Sequence, residues 1–173
     1  MDNRYAILFK KASENVVNSY TQWGIVCANV PFKSGGKTKD LPVREYFDEN
    51  GEDTYIPPAL KFDAYDMEFE MAYAGKELAS NPFNLSLAYT KIKDFKKWLS
   101  GNDGLGSTGA ELKIYSSYST IGRQGCYLLD IDDEETHLQL MQQGGNLYHE
   151  NVLTFKVKFR VTDPMTDITL TTT

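Results

Sequence analysis

The residues able to do chemistry are few and poorly arranged for it. The chain has two histidines, His137 and His149, and two cysteines, Cys27 and Cys126. Neither histidine stands at a metal-ligand spacing. Cys126, His137 and a carboxylate make a nominal nucleophile set, but such a site is defined by geometry, and any chain of this size contains the residue types. The acidic run Asp130, Asp132, Asp133, Glu134, Glu135 lacks the glycine and distal glutamate of a calcium loop, and reads as a solvated turn. In Asp48-Glu49-Asn50-Gly51-Glu52-Asp53 the glycine is misplaced for calcium, so this too reads as a turn. Ser34-Gly35-Gly36-Lys37-Thr38 ends like a phosphate-binding loop. The earlier glycine of that motif is missing, however, and no strand–loop–helix context surrounds it. No catalytic residue, cofactor site or metal ligand is therefore assigned, and the chain is read as not an enzyme.

The elements that would position any site are easier to read. Tyr65, Met67, Phe69, Met71 and Tyr73 alternate with Asp66, Glu68 and Glu70, which predicts a strand with one apolar and one acidic face. Phe62 and Ala64 have the opposite parity, which a bulge near Ala64 would explain. Leu153, Phe155, Val157, Phe159 and Val161 alternate with Thr154, Lys156, Lys158 and Arg160, predicting a second strand with a basic outer face. Leu85, Ala88, Ile92, Phe95 and Leu99 form a helical stripe, widened by Trp98. Ser80-Asn81-Pro82 or Asn84 would start that helix and Gly101 would end it. Shorter strands are expected at Tyr5–Lys10, within Tyr20–Phe32, at Glu111–Ser119 and at Cys126–Ile131, with Gly122 and Gly125 in the connection between the last two. Asp132–Leu140 fits an acidic helical turn or a short strand equally, and Gly144-Gly145-Asn146 reads as a turn.

Residues 33–58 read as one long projecting segment. It opens with a polar, glycine-containing loop and holds Asn50-Gly51 between β-prone flanks, the signature of a hairpin. It carries Tyr46, Phe47, Tyr55 and Ile56, apolar side chains that a solitary solvent loop does not require. These four residues are the first candidate assembly contacts. The charged rails Asp66, Glu68, Glu70 and Lys156, Lys158, Arg160 are the second. The rails could pair in one sheet, meet neighbouring subunits and fix register there, or stand independently in water.

Length and composition set the frame. A chain of 173 residues fits one domain with a proper core. The 11 Tyr and 9 Phe favour strands. The expected fold is mainly β (α+β): a β-sandwich or small barrel with one flanking amphipathic helix and a long projecting loop. Residues 166–173 are expected as a flexible, Thr-rich tail. A formal net charge of -6 argues against nucleic-acid binding through a basic face. Both cysteines lie in apolar runs and read as buried free thiols. The first residues lack an apolar signal core, and no apolar run approaches a membrane span, so a cytoplasmic site of synthesis is expected.

The order of these pieces resembles the bacteriophage tail-tube and distal-tail protein superfamily. The matching parts are the aromatic strand Tyr65–Tyr73, the Leu85–Leu99 helix, the Leu112–Ile131 hairpin and the alternating strand Leu153–Val161. The segment Leu41-Pro42-Val43-Arg44-Glu45-Tyr46-Phe47-Asp48-Glu49-Asn50-Gly51 is similar to sequences from prophages of gut bacteria. The resemblance is one of pattern over residues ~40–161. It implies a structural subunit of a phage or prophage tail, tube or distal-tail ring. Its partners would be itself, in a ring commonly of six subunits around a passage for DNA, and other tail proteins. Lys33–Pro58 would correspond to the loop that contacts the next ring. The resemblance further implies the host cytoplasm during assembly and the virion tail afterwards. An acidic lumen would not grip phosphate. The alternative is a ligand- or carbohydrate-binding β-sandwich module, which exposed Tyr or Trp clustered on a concave face would favour.

Overall fold

The structure is a computed structural model. It describes residues 5–12, 14–45, 47, 50–74, 85–102, 109–143 and 146–172, with the backbone alone for strand residues 133–152. Among the described residues the fold is mainly β: a curled, seven-stranded antiparallel sheet, a half-barrel, with two helices. The strands are β1 (Ile7–Lys10), β2 (Val17–Asn18), β3 (Ile25–Cys27), β6 (Tyr65–Tyr73), β7 (Leu112–Ser116), β8 (Ile121–Gln143) and β9 (Asn146–Val161). Their order in the sheet is β2-β1-β7-β8-β9-β6-β3. A separate two-stranded hairpin, β4 (Val43–Arg44) and β5 (Asp53–Thr54), lies in the long segment. The helices are α1 (Ser19–Trp23) and α2 (Leu85–Ser100).

The two alternating strands pair directly, Tyr65 opposite Val161 through to Tyr73 opposite Leu153. Their apolar residues enter one core, and the α2 stripe (Ala88, Ile92, Phe95, Leu99) closes over it. Ring contacts run unbroken from Phe32 to Phe69, Phe159, Phe9, Phe95 and Trp23, with centroids 4.9–6.0 Å apart. Trp98 joins at 5.3 Å from Trp23, and the buried Lys11 ammonium lies 4.6 Å from its ring centroid. The curl is stitched by one hydroxyl. Ile7 N–H donates to Ser19 Oγ (3.0 Å), which donates to the Ile25 carbonyl (2.8 Å), so Ser19 links β1 to β3 across the seam.

Several expectations are corrected. The first part of Tyr20–Phe32 is helix α1, because Asn18 caps Tyr20 and Thr21 N–H and Gly24 adopts a left-handed conformation at the other end. Those local signals override the β-propensity of Tyr20 and Trp23. The β7–β8 turn is Ser117–Thr120, and Gly122 lies inside β8. A Cβ on Gly122 would sit 2.7 Å from the Ile168 carbonyl oxygen, so glycine there serves a close crossing of the chain. The parity break at Phe62 is a strand start, since β6 begins at Tyr65 and Phe62 bridges Thr38. Asp130 and Asp132 lie in a strand, not a turn. The expected helix start at 80–84 falls outside the described residues.

Residues 166–172, expected as a flexible tail, lie against the sheet. Asp167 bridges Arg123, Ile168 N–H donates to the Gly122 carbonyl, and Leu170 is buried with Leu8 and Tyr115. The tail thereby covers the face of β1 and β7 turned away from the main core.

Candidate assembly surface

Arg123 organises one end of the half-barrel. It is buried, and donates to Tyr65 Oη (3.3 Å), the Gly122 carbonyl (3.0 Å), the Lys33 carbonyl (2.6 Å) and Asp167. Burial opposes its charge, but the hydrogen bonds to Tyr65 and Asp167 outweigh it and hold the guanidinium pKa above its ordinary value. One side chain thus ties β6, β8, the C-terminal tail and the root of the long segment together. The Lys33 ammonium lies 5.2 Å from the Tyr65 ring centroid, adding a second tie.

From that root the segment runs out as a narrow stem. Asp63 N–H donates to the Lys37 carbonyl and Lys39 N–H to the Lys61 carbonyl, flanking the Thr38–Phe62 bridge. Gly36 lies so close to the Asp63 backbone that any Cβ would collide with it. The glycine of the Gly-Lys-Thr string is therefore used for chain packing. Lys37 is drawn to Asp40 at 2.9 Å, which raises its pKa, and Thr38 is paired with Phe62. Nothing in this arrangement cradles a phosphate.

Beyond the stem, Val43 pairs with Thr54 and Arg44 with Asp53, giving the expected hairpin. Gly51 has φ +96°, the conformation its turn needs. Of the four apolar candidates, Phe47 is fully exposed, Tyr55 is 69% and Ile56 73% exposed, and Tyr46 lies outside the described residues. Val43 and Leu60 add to the same exposed apolar set.

The charged rails meet within the chain. Asp66, Glu68 and Glu70 face Arg160, Lys158 and Lys156 across the β6–β9 ladder. Asp66 and Arg160 form a 2.8 Å ion pair, and that hydrogen bond raises the Arg160 pKa. On its other side β9 meets Asp130 opposite Lys158 and Asp132 opposite Lys156. The basic strand is therefore flanked by acidic strands on both sides, and the acidic run supplies the second flank. This pairing meets the rails' need for opposite charge without a neighbour.

The remaining chemistry is muted. Both cysteines are free and buried; burial pushes the Cys27 thiol up to about 11 and the Cys126 thiol up to about 12. Thiols held protonated are poor nucleophiles. The side chains of His137 and His149 lie outside the described residues. Among the described residues no group of three or more His, Cys, Asp or Glu could hold a metal ion. A cleft of about 130 Å³ lies at the seam, lined by Tyr5, Ile7, Cys27–Val30, Ser116 and Tyr118. The Tyr5 and Tyr118 rings stack at 5.7 Å and are exposed.

Arg123 and the second acidic flank escaped the sequence reading. An isolated arginine between two glycines carries no periodic signal, and a bulge between Leu128 and Asp130 breaks the alternation that would have revealed the flank. Among the described residues no helix is long and apolar enough to cross a membrane. No protein-family model matches the chain, and no curated protein matches its sequence.

Proposed function

We propose that this chain is a structural subunit of a phage or prophage tail, in the tube or in a distal-tail ring, self-assembling around a passage for DNA. The observation that carries the reading is the apolar hairpin held out on an anchored stem. Burying Phe47, Tyr55 and Ile56 in a neighbour would favour association by about 1.5–3 kcal/mol each, before ordering costs. A chain that keeps such residues in water gains from a partner that covers them.

Three further features support assembly. From His137–Val152 to Gln143–Asn146 the β8–β9 ladder continues where, among the described residues, β9 no longer pairs with β6. This two-stranded extension reaches roughly 20–25 Å. Such ribbons are marginal alone and offer open backbone edges. The order of elements is also the pattern on which the tail-protein resemblance rests. The net charge of -6 suits a passage through which DNA slides without being gripped.

The test replaces residues 41–59 by a short Gly-Ser linker, which spares the Thr38–Phe62 bridge. Under this reading the wild-type chain forms rings or tubes by sedimentation velocity and electron microscopy, and the replaced chain stays a folded monomer. Unchanged oligomers, or a wild-type chain monomeric at every concentration, would reject it.

The second reading is a small-ligand or carbohydrate-binding module, and the exposed Tyr5–Tyr118 stack beside the seam cleft is its one favouring observation. The cleft is well below the roughly 300–1,000 Å³ of ordinary ligand pockets, so assembly is the better-supported reading.

A further inference from the structure

Two surfaces of the half-barrel differ in charge. The long segment is rooted at the Tyr65 end of β6, through Arg123 and Lys33. The hairpin region it carries, residues 43–54, holds Glu45, Asp48, Glu49, Glu52 and Asp53 against Arg44 alone, a net of -4 from five acids and one base. Glu45, Glu52 and Asp53 are exposed. The C-terminal half of α2 packs across the core. Phe95 and Trp98 touch Trp23, whose neighbour Gly24 accepts the Ala74 N–H just past Tyr73, and also Phe9, whose ring meets Phe159 opposite Met67. The helix carries Lys91, Lys93, Lys96 and Lys97 against Asp94, a net of +3 from four bases and one acid, in a chain whose total is -6. Lys93, Lys96 and Lys97 are exposed.

A solvated helix face usually mixes its signs. Here Lys93 stands one turn from both Lys96 and Lys97, like-charge spacings that disfavour a helix, and the single Asp94, one turn from Lys91 and Lys97, offsets only part of that charge. Among the described residues, Glu45, Glu52 and Asp53 make no ion pair with Lys93, Lys96 or Lys97, so within one copy the hairpin does not neutralise the helix. A second copy can bring its hairpin there.

We propose that the acidic hairpin of one copy docks on the lysine face of α2 in the next copy. The contact is heterologous, joining two different patches, and such contacts propagate into rings or stacks. The apolar tip would supply the buried area, and the charges would orient it. This inference rests on the assembly reading and names the receptor for its hairpin.

A charge-swap experiment tests it on the full-length chain. K93E/K97E should weaken self-association at least about tenfold at ~0.1 M salt, and E52K/D53K should do the same. Combining all four substitutions should restore assembly. Circular dichroism and melting curves check that each variant folds, and K93Q/K97Q serves if the reversal does not. If the helix variants assemble as wild type while the 41–59 replacement is monomeric, the helix is not the receptor, although the assembly reading stands. If both pairs disrupt assembly and their combination gives no rescue, the two patches do not meet. If the wild-type chain never associates, both the reading and this inference fail.

Discussion

The β6–β9 core and the long segment use similar residues to opposite ends. In the core, every second side chain of Tyr65–Tyr73 and Leu153–Val161 is buried, and the charged residues between them face one another across the ladder. In the segment, Phe47, Tyr55 and Ile56 are as apolar as their core counterparts yet stand in water, and among the described residues the hairpin has two residue pairs and no third strand. The core is complete within one chain, whereas the hairpin leaves its apolar side chains uncovered. Aromatic content therefore does not measure stability; the same kind of ring is buried in the core in one place and exposed in another.

The sharpest way to break that comparison is at Phe95, which is fully buried beside Phe9 and Trp23. Phe95→Ala should cost about 3–5 kcal/mol in equilibrium denaturation. A loss below about 1 kcal/mol would mean that the helix stripe is not part of the core. Arg123 sits between the two regions. Arg123→Met should cost about 1.5–3 kcal/mol, since its charged hydrogen bonds are lost. It should also speed proteolytic cleavage both near Lys33 and in the tail after Asp163. Cleavage at one site alone would show that a single side chain does not couple them.

Acid offers a gentler probe of the tail. Asp163 accepts from the Gln124 side chain and from Thr166 and Met165 N–H, and these bonds hold its pKa below the ordinary value. A carboxyl depressed in the folded state contributes stability above its unfolded pKa, about 4, and loses it as pH falls through the lower folded value. Hydrogen exchange in residues 163–170 should therefore rise below about pH 4 in the wild type. Asp163→Asn should show the faster exchange already at neutral pH, with little further change on acidification.

The thiols report the intactness of the core. Both have folded pKa values far above the ordinary 9.0, so the stability linked to them is full below pH 9 and is lost as pH rises toward 11–12. At pH 8 a thiol reagent should label neither cysteine until the chain unfolds. The smallest stability effect is expected in the hairpin. Phe47→Ser or Ile56→Ser should change monomer stability by no more than about 0.5 kcal/mol while reducing self-association. A large loss of monomer stability would place the hairpin in the core after all and erase the contrast.

The sequence alone determined the two long alternating strands, the α2 stripe and the hairpin with its Gly51 turn. Each is a local pattern: period two, period 3.6, or a turn residue needing positive φ. The exposed apolar candidates were legible for the same reason, as hydrophobic residues in a segment without a core period. The tertiary structure alone decided three other things. It extended β8 through the ambiguous acidic stretch, where one extra residue at Leu128/Asp130 and another at Asp132/Glu135 shift the parity that marks a strand. It paired the charged rails within the chain, a choice the residue pattern left open because the same ladder suits a neighbour. It made Arg123 the tie between β6, tail and long segment, with partners 58, 44 and 90 residues away. Periodicity reports how a residue relates to its near neighbours along the chain. A buried cation is set by which distant carbonyls and carboxylates converge on it, and that convergence exists only once the sheet has curled.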